Sequence, residues 1–173
     1  MNAPFRVLAA DDERLILEGY RILIEQAVAA PPGDLSRLEA ALFGLGEAHP
    51  SPFLPTEVVC VPQAEAAVEQ VRRGLAEGRP FALAFLDYHM PPGSTGIEAA
   101  KAIRALDDRI QIIIASGYTG ADPAEMLREV PPADRISFLP KPFRSRELAR
   151  LIEASHADWK ACRDSSESGP PAG

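Results

Sequence analysis

Solid runs of apolar residues alternate along this chain with stretches in which apolar residues recur every three or four positions. The runs are residues 5–10 (FRVLAA), 58–61 (VVCV), 81–86 (FALAFL), 110–115 (IQIIIA) and 136–139 (ISFL). Each has strand length and lacks polar alternation, the pattern of a strand covered on both faces. Between the runs lie helical stripes: Leu15, Ile16, Tyr20, Leu23, Ile24 and Val28; then Ala66, Ala67, Val71 and Leu75; then Ile97, Ala100, Ile103 and Leu106. Pro62 marks a helix start and Gly78 a helix end. Asp122-Pro123 opens a short helix to Val130, and a last helix follows Phe143 through Trp159. Strand and helix in strict alternation predict an α/β domain with a parallel, doubly wound sheet.

Two stretches break the alternation. Pro31-Pro32-Gly33 ends the first helix, and His49-Pro50-Ser51-Pro52 with Pro55 marks a second irregular stretch. Between them Asp34 can cap a helix whose Leu35, Leu38, Ala41, Leu42 and Leu45 fall on one face, for packing on the parent domain or on a partner. After Cys162 the composition RDSSESGPPAG is that of a linker or disordered end. The expected organisation is one domain over residues 1–162 with an insertion at 31–55, then a tail over 163–173.

At 173 residues the chain can bury roughly two thirds of its unfolded surface without staples. A formal charge of −7 and no Lys/Arg-rich run argue against direct binding to nucleic acid or a membrane surface, which needs a cationic footprint. A protein partner or a small ligand is expected instead. Cys60 and Cys162 have no spacing for zinc or a redox pair, so both read as free thiols of a reducing cytoplasm. The N-terminus lacks the cationic and apolar regions of an export signal, and no apolar stretch reaches about 18 residues.

The strand ends carry the chemistry. The first run stops at Asp11-Asp12, the third at Asp87, the fourth at Ser116 and the fifth at Lys141. In a parallel sheet these ends lie on one edge, the edge where open α/β folds bind ligands. Capping of the following turn or helix accounts for any one of these residues. It does not account for four of five strands ending this way, with opposite charges included. Three carboxylates crowded together repel unless a cation sits among them, and hard oxygen ligands suit Mg²⁺.

In this order the residues resemble the receiver domain of two-component response regulators. The likeness rests on Asp11-Asp12, on Asp87 with Met90-Pro91 and Gly96, on Ser116-Gly117 and on Lys141-Pro142-Phe143. It implies a flavodoxin-like five-stranded sheet of order 2-1-3-4-5, and phosphoryl transfer from a histidine kinase or phosphotransfer protein onto Asp87. Asp11, Asp12 and Asp87 would serve Mg²⁺ together with the backbone carbonyl of His89, whose side chain is the competing ligand. Lys141 and Ser116 would hold phosphate oxygens, and the Lys141-Pro142 bond would be cis. Ser116 and Phe138 would form the switch, read on the fourth helix, fifth strand and fifth helix. His89 and Tyr118 would flank the route of attacking water and set the phosphoryl lifetime.

The implied role is a signalling domain catalysing only its own phosphorylation and dephosphorylation, not an enzyme in the usual sense. Phe138 stands where the family often has Tyr, and the loop 91–96 is about one residue longer than usual. A phosphorylation-independent interaction module is the alternative, and a phosphohydrolase the third reading, which lacks its second acid because His89 occupies that place. The insertion, returning to the opposite edge, is left for self-association as a homodimer or for contact with an effector domain. Deleting residues 32–51 is therefore expected to leave acyl-phosphate formation at Asp87 intact, as measured by mass spectrometry after treatment with acetyl phosphate. Loss of the acyl phosphate in a deletion that still folds refutes that placement.

Overall fold

A computed structural model describes residues 4–29, 56–117 and 122–167. Five strands are present: β1 (Phe5–Ala10), β2 (Thr56–Val61), β3 (Leu83–Asp87), β4 (Gln111–Ser116) and β5 (Ile136–Pro140). They pair in parallel in the order β2-β1-β3-β4-β5, the order that the resemblance implies. The three central strands are the ones that read as solid apolar runs. Every residue of β1 and β3 is buried, and β4 is exposed only in part at Gln111. The edge strand β2 is half-buried along most of its length, and β5 mixes buried Ile136 and Leu139 with half-buried Ser137 and Phe138 and exposed Pro140.

The helices are α1 (Arg14–Ala29), α2 (Ala64–Ala76), α3 (Gly96–Leu106), α4 (Pro123–Arg128) and α5 (Ser145–Glu167). They cover both faces of the sheet, giving two separate cores. Strand alternation distributes the side chains between them. Val7, Ala9, Phe85 and Ile113 face Tyr20 and Ile24 of α1 with Leu148 and Ile152 of α5. Leu8, Leu86, Ile112 and Ile114 face Val71, Ile97, Ile103 and Met126 on the other side.

Local chemistry sets the element ends. At the start of α3, Thr95 Oγ1 accepts from Glu98 N while Glu98 Oε2 accepts from Thr95 N at 2.7 Å, a reciprocal capping box. The α4 start is as expected, with Asp122 Oδ1 accepting from Ala124 N at 2.9 Å ahead of Pro123. Beyond α2, Gly78 takes φ +67, a left-handed conformation that glycine adopts without steric cost.

Several boundaries differ from the sequence reading. Strand β3 begins at Leu83 rather than Phe81 and includes Asp87; Phe81 and Ala82 form a buried lead-in, with Ala82 N donating to the Arg6 carbonyl at 2.9 Å. A 3₁₀ turn at Ala133–Arg135 was not expected, and α4 stops at Arg128, short of Val130. The α5 helix continues past Cys162 to Glu167, so the first residues of the expected tail are helical. The polar run there lacks an apolar stripe but also lacks a breaker until Gly169-Pro170. The insertion and its capped helix fall outside the described residues. Thr56, where the chain is described again, is level with Phe5 at the amino edge, opposite the strand ends of interest.

One glycine controls the edge of the sheet. A Cβ on Gly96 would lie 2.2 Å from the Asp87 carbonyl oxygen, and Gly96 N donates to the Tyr88 carbonyl at 3.0 Å. The helix start and the strand end touch through backbone alone. Gly96→Ala is expected to cost about 1–3 kcal/mol by overpacking, read as a lowered urea midpoint with an unchanged slope.

Candidate functional site

The carboxyl edge of the sheet gathers the residues that end the strands. Asp11 follows β1 and is fully buried; Asp87 ends β3 and Ser116 ends β4, both also buried. Lys141 follows β5. Its Nζ donates to Asp11 Oδ2 at 2.7 Å and to Asp87 Oδ1 at 2.7 Å. Residues widely separated in sequence thus meet through one ammonium.

The backbone fixes the rest of the arrangement. Asp11 Oδ1 accepts from Glu13 N at 3.0 Å, a turn that holds the carboxylate at the head of α1. Asp87 Oδ2 accepts from His89 N at 2.9 Å, so His89 touches the site through its backbone while its side chain is exposed. Lys141 N donates to the Ser116 carbonyl at 2.8 Å, pinning the lysine loop to the end of β4. The Lys141–Pro142 bond is cis.

Burial and charge compete here. Burial pushes the Asp11 carboxyl above its usual range, with the Asp87 charge adding to the rise, and its bonds to Lys141 and Glu13 only partly oppose this. For Lys141 burial disfavours the charge, but the hydrogen bonds to Asp11 and Asp87 outweigh it and hold the ammonium above its ordinary range. The same contacts thus favour the Lys141 cation, while the charged form of Asp11 is disfavoured.

Asp12 is exposed next to this pair. Two buried carboxylates on one ammonium leave negative charge in excess, the exposed Asp12 follows in sequence, and the donors are oxygens, so the residues present fit Mg²⁺. Among the described residues no group of three or more His, Cys, Asp and Glu side chains closes around a metal by itself. A magnesium ion, which keeps several waters, does not need such a cage.

Alternation sets Ser116 and Phe138 on the sheet face of Ile112 and Ile114, the face away from α1. Phe138 is half-buried there. Both expected switch residues therefore share a face. Tyr118 lies outside the described residues.

One tether had no sequence signal. Glu65, in the first turn of α2, accepts from Ser94 N at 2.9 Å, anchoring the loop between β3 and α3. Its carboxyl is held below the usual range by that bond. Tyr20, read from sequence only as part of an apolar stripe, lies in the core on the side of the sheet that carries the acids.

Solved structures with this architecture are numerous. A response regulator receiver domain protein from Methanospirillum hungatei, 19% identical, covers 92% of this chain and 99% of its own at a TM-score of 0.60. A response regulator receiver domain from Clostridium thermocellum, 18% identical, covers 91% of this chain and 98% of its own at 0.61. A LuxR-family two-component response regulator from Aurantimonas, 22% identical, covers 88% of this chain and 84% of its own at 0.58. No family model matches the sequence, and no curated protein does. The chain has the fold of response-regulator receiver domains, an all-parallel sheet of order 2-1-3-4-5. No helix among the described residues is long and apolar enough to cross a membrane.

The shifts at Asp11 and Lys141 fix a pH dependence. A raised carboxyl value means that the contribution of Asp11 to stability is full below its ordinary 3.8 and is lost as pH rises through the folded value. The contribution of Lys141 is full below its ordinary 10.5 and is lost only above it. In EDTA, Asp11→Asn is therefore expected to be more stable than the parent chain at neutral pH, the gap closing as pH falls towards 3.8. Urea titrations of both chains across that range check it.

Proposed function

We propose that this chain is a phosphoryl-accepting receiver of a two-component system, with Asp87 the residue that takes the phosphoryl group. The observation that carries the reading is the Lys141 ammonium held 2.7 Å from both Asp11 and Asp87 at one sheet edge. It supports a site that handles concentrated negative charge, which phosphoryl transfer demands. A carboxylate oxygen of Asp87 attacks phosphorus as the donor's bond to phosphorus breaks, and the leaving group departs with that electron pair. The product is an acyl phosphate. Lys141, already on Asp87, follows the new charge onto a phosphate oxygen as a point cation. The Ser116 hydroxyl donates to another oxygen.

Asp11, Asp12, Asp87 and the His89 carbonyl would hold Mg²⁺. When bound, the ion spreads the charge of the transferring group. The donor in the cell is a histidine kinase or phosphotransfer protein, and the setting is the cytoplasm. Phosphorylation draws Ser116 inward and lets Phe138 follow, altering the face of α4, β5 and α5 for an effector domain, an effector protein or a second copy. Without the hydroxyl of a tyrosine, Phe138 signals by packing alone.

Incubation with acetyl phosphate and Mg²⁺ is expected to add one phosphate to the intact chain, and Asp87→Asn to take none. Lys141→Ala is expected to slow uptake by roughly 10²-fold, the cost of losing one charge-stabilising donor. Decay after donor removal should change in His89→Ala and Tyr118→Ala. No Mg²⁺-dependent uptake would leave the phosphorylation-independent interaction module as the reading.

A further inference from the structure

One buried polar group has no part in that chemistry. Tyr20 is 1% exposed, and its hydroxyl has no hydrogen-bond partner among the described residues. Its ring stacks on Phe85 at 5.3 Å and on Phe143 at 5.7 Å. Phe85 precedes Asp87 by one strand repeat, and Phe143 stands two residues past Lys141. Alternation puts Phe85 with Asp87, and Ala9 with Asp11, on the sheet face that Tyr20 packs against. Tyr20 thus lies beneath the acid pocket. Its phenol is held well above the ordinary range by burial, then by the charges of Asp11 and Asp87. At neutral pH it is a hydroxyl with a proton to donate.

A buried hydroxyl without a partner costs stability, and phenylalanine would keep the ring stack without that cost. In the resting chain the pocket needs no further donor. Asp11 Oδ2 and Asp87 Oδ1 bind Lys141, Asp11 Oδ1 binds Glu13 N, and Asp87 Oδ2 binds His89 N. That balance fails when Lys141 turns to a phosphoryl group, because Asp11 Oδ2 then loses its hydrogen-bond donor, which a metal cation beside the carboxylate does not replace. Resting on the receiver reading above, we propose that Tyr20 is a positioning residue whose hydroxyl becomes the donor to Asp11 as Lys141 leaves for the phosphoryl group. The ring stack, meanwhile, ties the lysine loop to the strand that bears the acceptor.

The test compares the parent chain with Tyr20→Phe and Tyr20→Leu, using acetyl phosphate and saturating Mg²⁺. Tyr20→Phe is expected to be at least as stable as the parent to urea, yet to take phosphate about tenfold more slowly, the factor set by a hydrogen bond to a charged acceptor. Tyr20→Leu, which also loses the stack, is expected to be less stable and no faster. In the parent, the ¹³Cζ resonance of Tyr20, identified by its absence from Tyr20→Phe, is expected to move on phosphorylation. An unchanged rate in Tyr20→Phe, a ¹³Cζ resonance that stays put, or a Tyr20→Phe chain less stable than the parent overturns the inference. If the parent takes no phosphate, the reading of the site falls and this inference with it. Equal uptake by parent and Tyr20→Phe removes the inference alone.

Discussion

One ammonium between two buried carboxylates organises the carboxyl edge of this sheet. Strand β5 stands two strand spacings from β3 and three from β1, on the order of 10 and 14 Å, so Lys141 reaches Asp87 and Asp11 only if those strand ends are level. The register makes them so: Asp87 is opposite Ala115, Ser116 is opposite Pro140, and Ala10 is opposite Leu86. A slip of one residue in any pairing would turn a charged side chain to the other face. The ion cluster is thus a check on the whole sheet as well as a local contact.

The cluster is not an efficient source of stability. Removing two carboxylates and an ammonium from water costs several kcal/mol per ion in effective terms, and close pairing in the interior only partly offsets it. The direction of the Asp11 shift is the local sign of that deficit. A cation or a transferred phosphoryl group would change the charge balance in opposite senses, and each gives Lys141 and the acids different partners. With two carboxylates to one ammonium, the resting cluster keeps negative charge in excess, which a cation would offset.

Much of this was legible in the sequence because solid apolar runs stop abruptly at polar residues. The strands were found from their continuous apolar runs, and the strand-end acids and Lys141 from position alone. Boundaries suffered where hydrophobicity did not change with backbone geometry: Phe81 and Ala82 are as buried as the strand they precede. The reverse holds for α5, whose last turn is polar enough to read as a tail. The bond from Ser94 N to Glu65 was out of reach for a different reason. An exposed glutamate in a first helical turn has a sufficient local explanation in the helix dipole, and nothing in its spacing names a loop 29 residues on. Tyr20 was placed on the right helical face, but periodicity reports only that a side chain is buried, not whether its hydroxyl has a partner.

The opposite edge of the molecule is built on another principle. Arg104 Nη1 donates to the carbonyls of Asp108 and Ile110, and its Nη2 to that of Arg135, each at 2.8 Å, closing the turn before β4 onto the turn before β5. Arg6 pairs with Glu57 at 3.0 Å, lies 4.1 Å over the Phe81 ring and bonds the Arg79 carbonyl. These guanidiniums spend their Nη donors on backbone carbonyls and a carboxylate, and Arg6 also covers an aromatic face. At the carboxyl edge the cation is a lysine, a compact point charge shared between two buried acids. Permanent bonding at one end lets the other end carry a buried charge cluster without loosening the register on which that cluster depends.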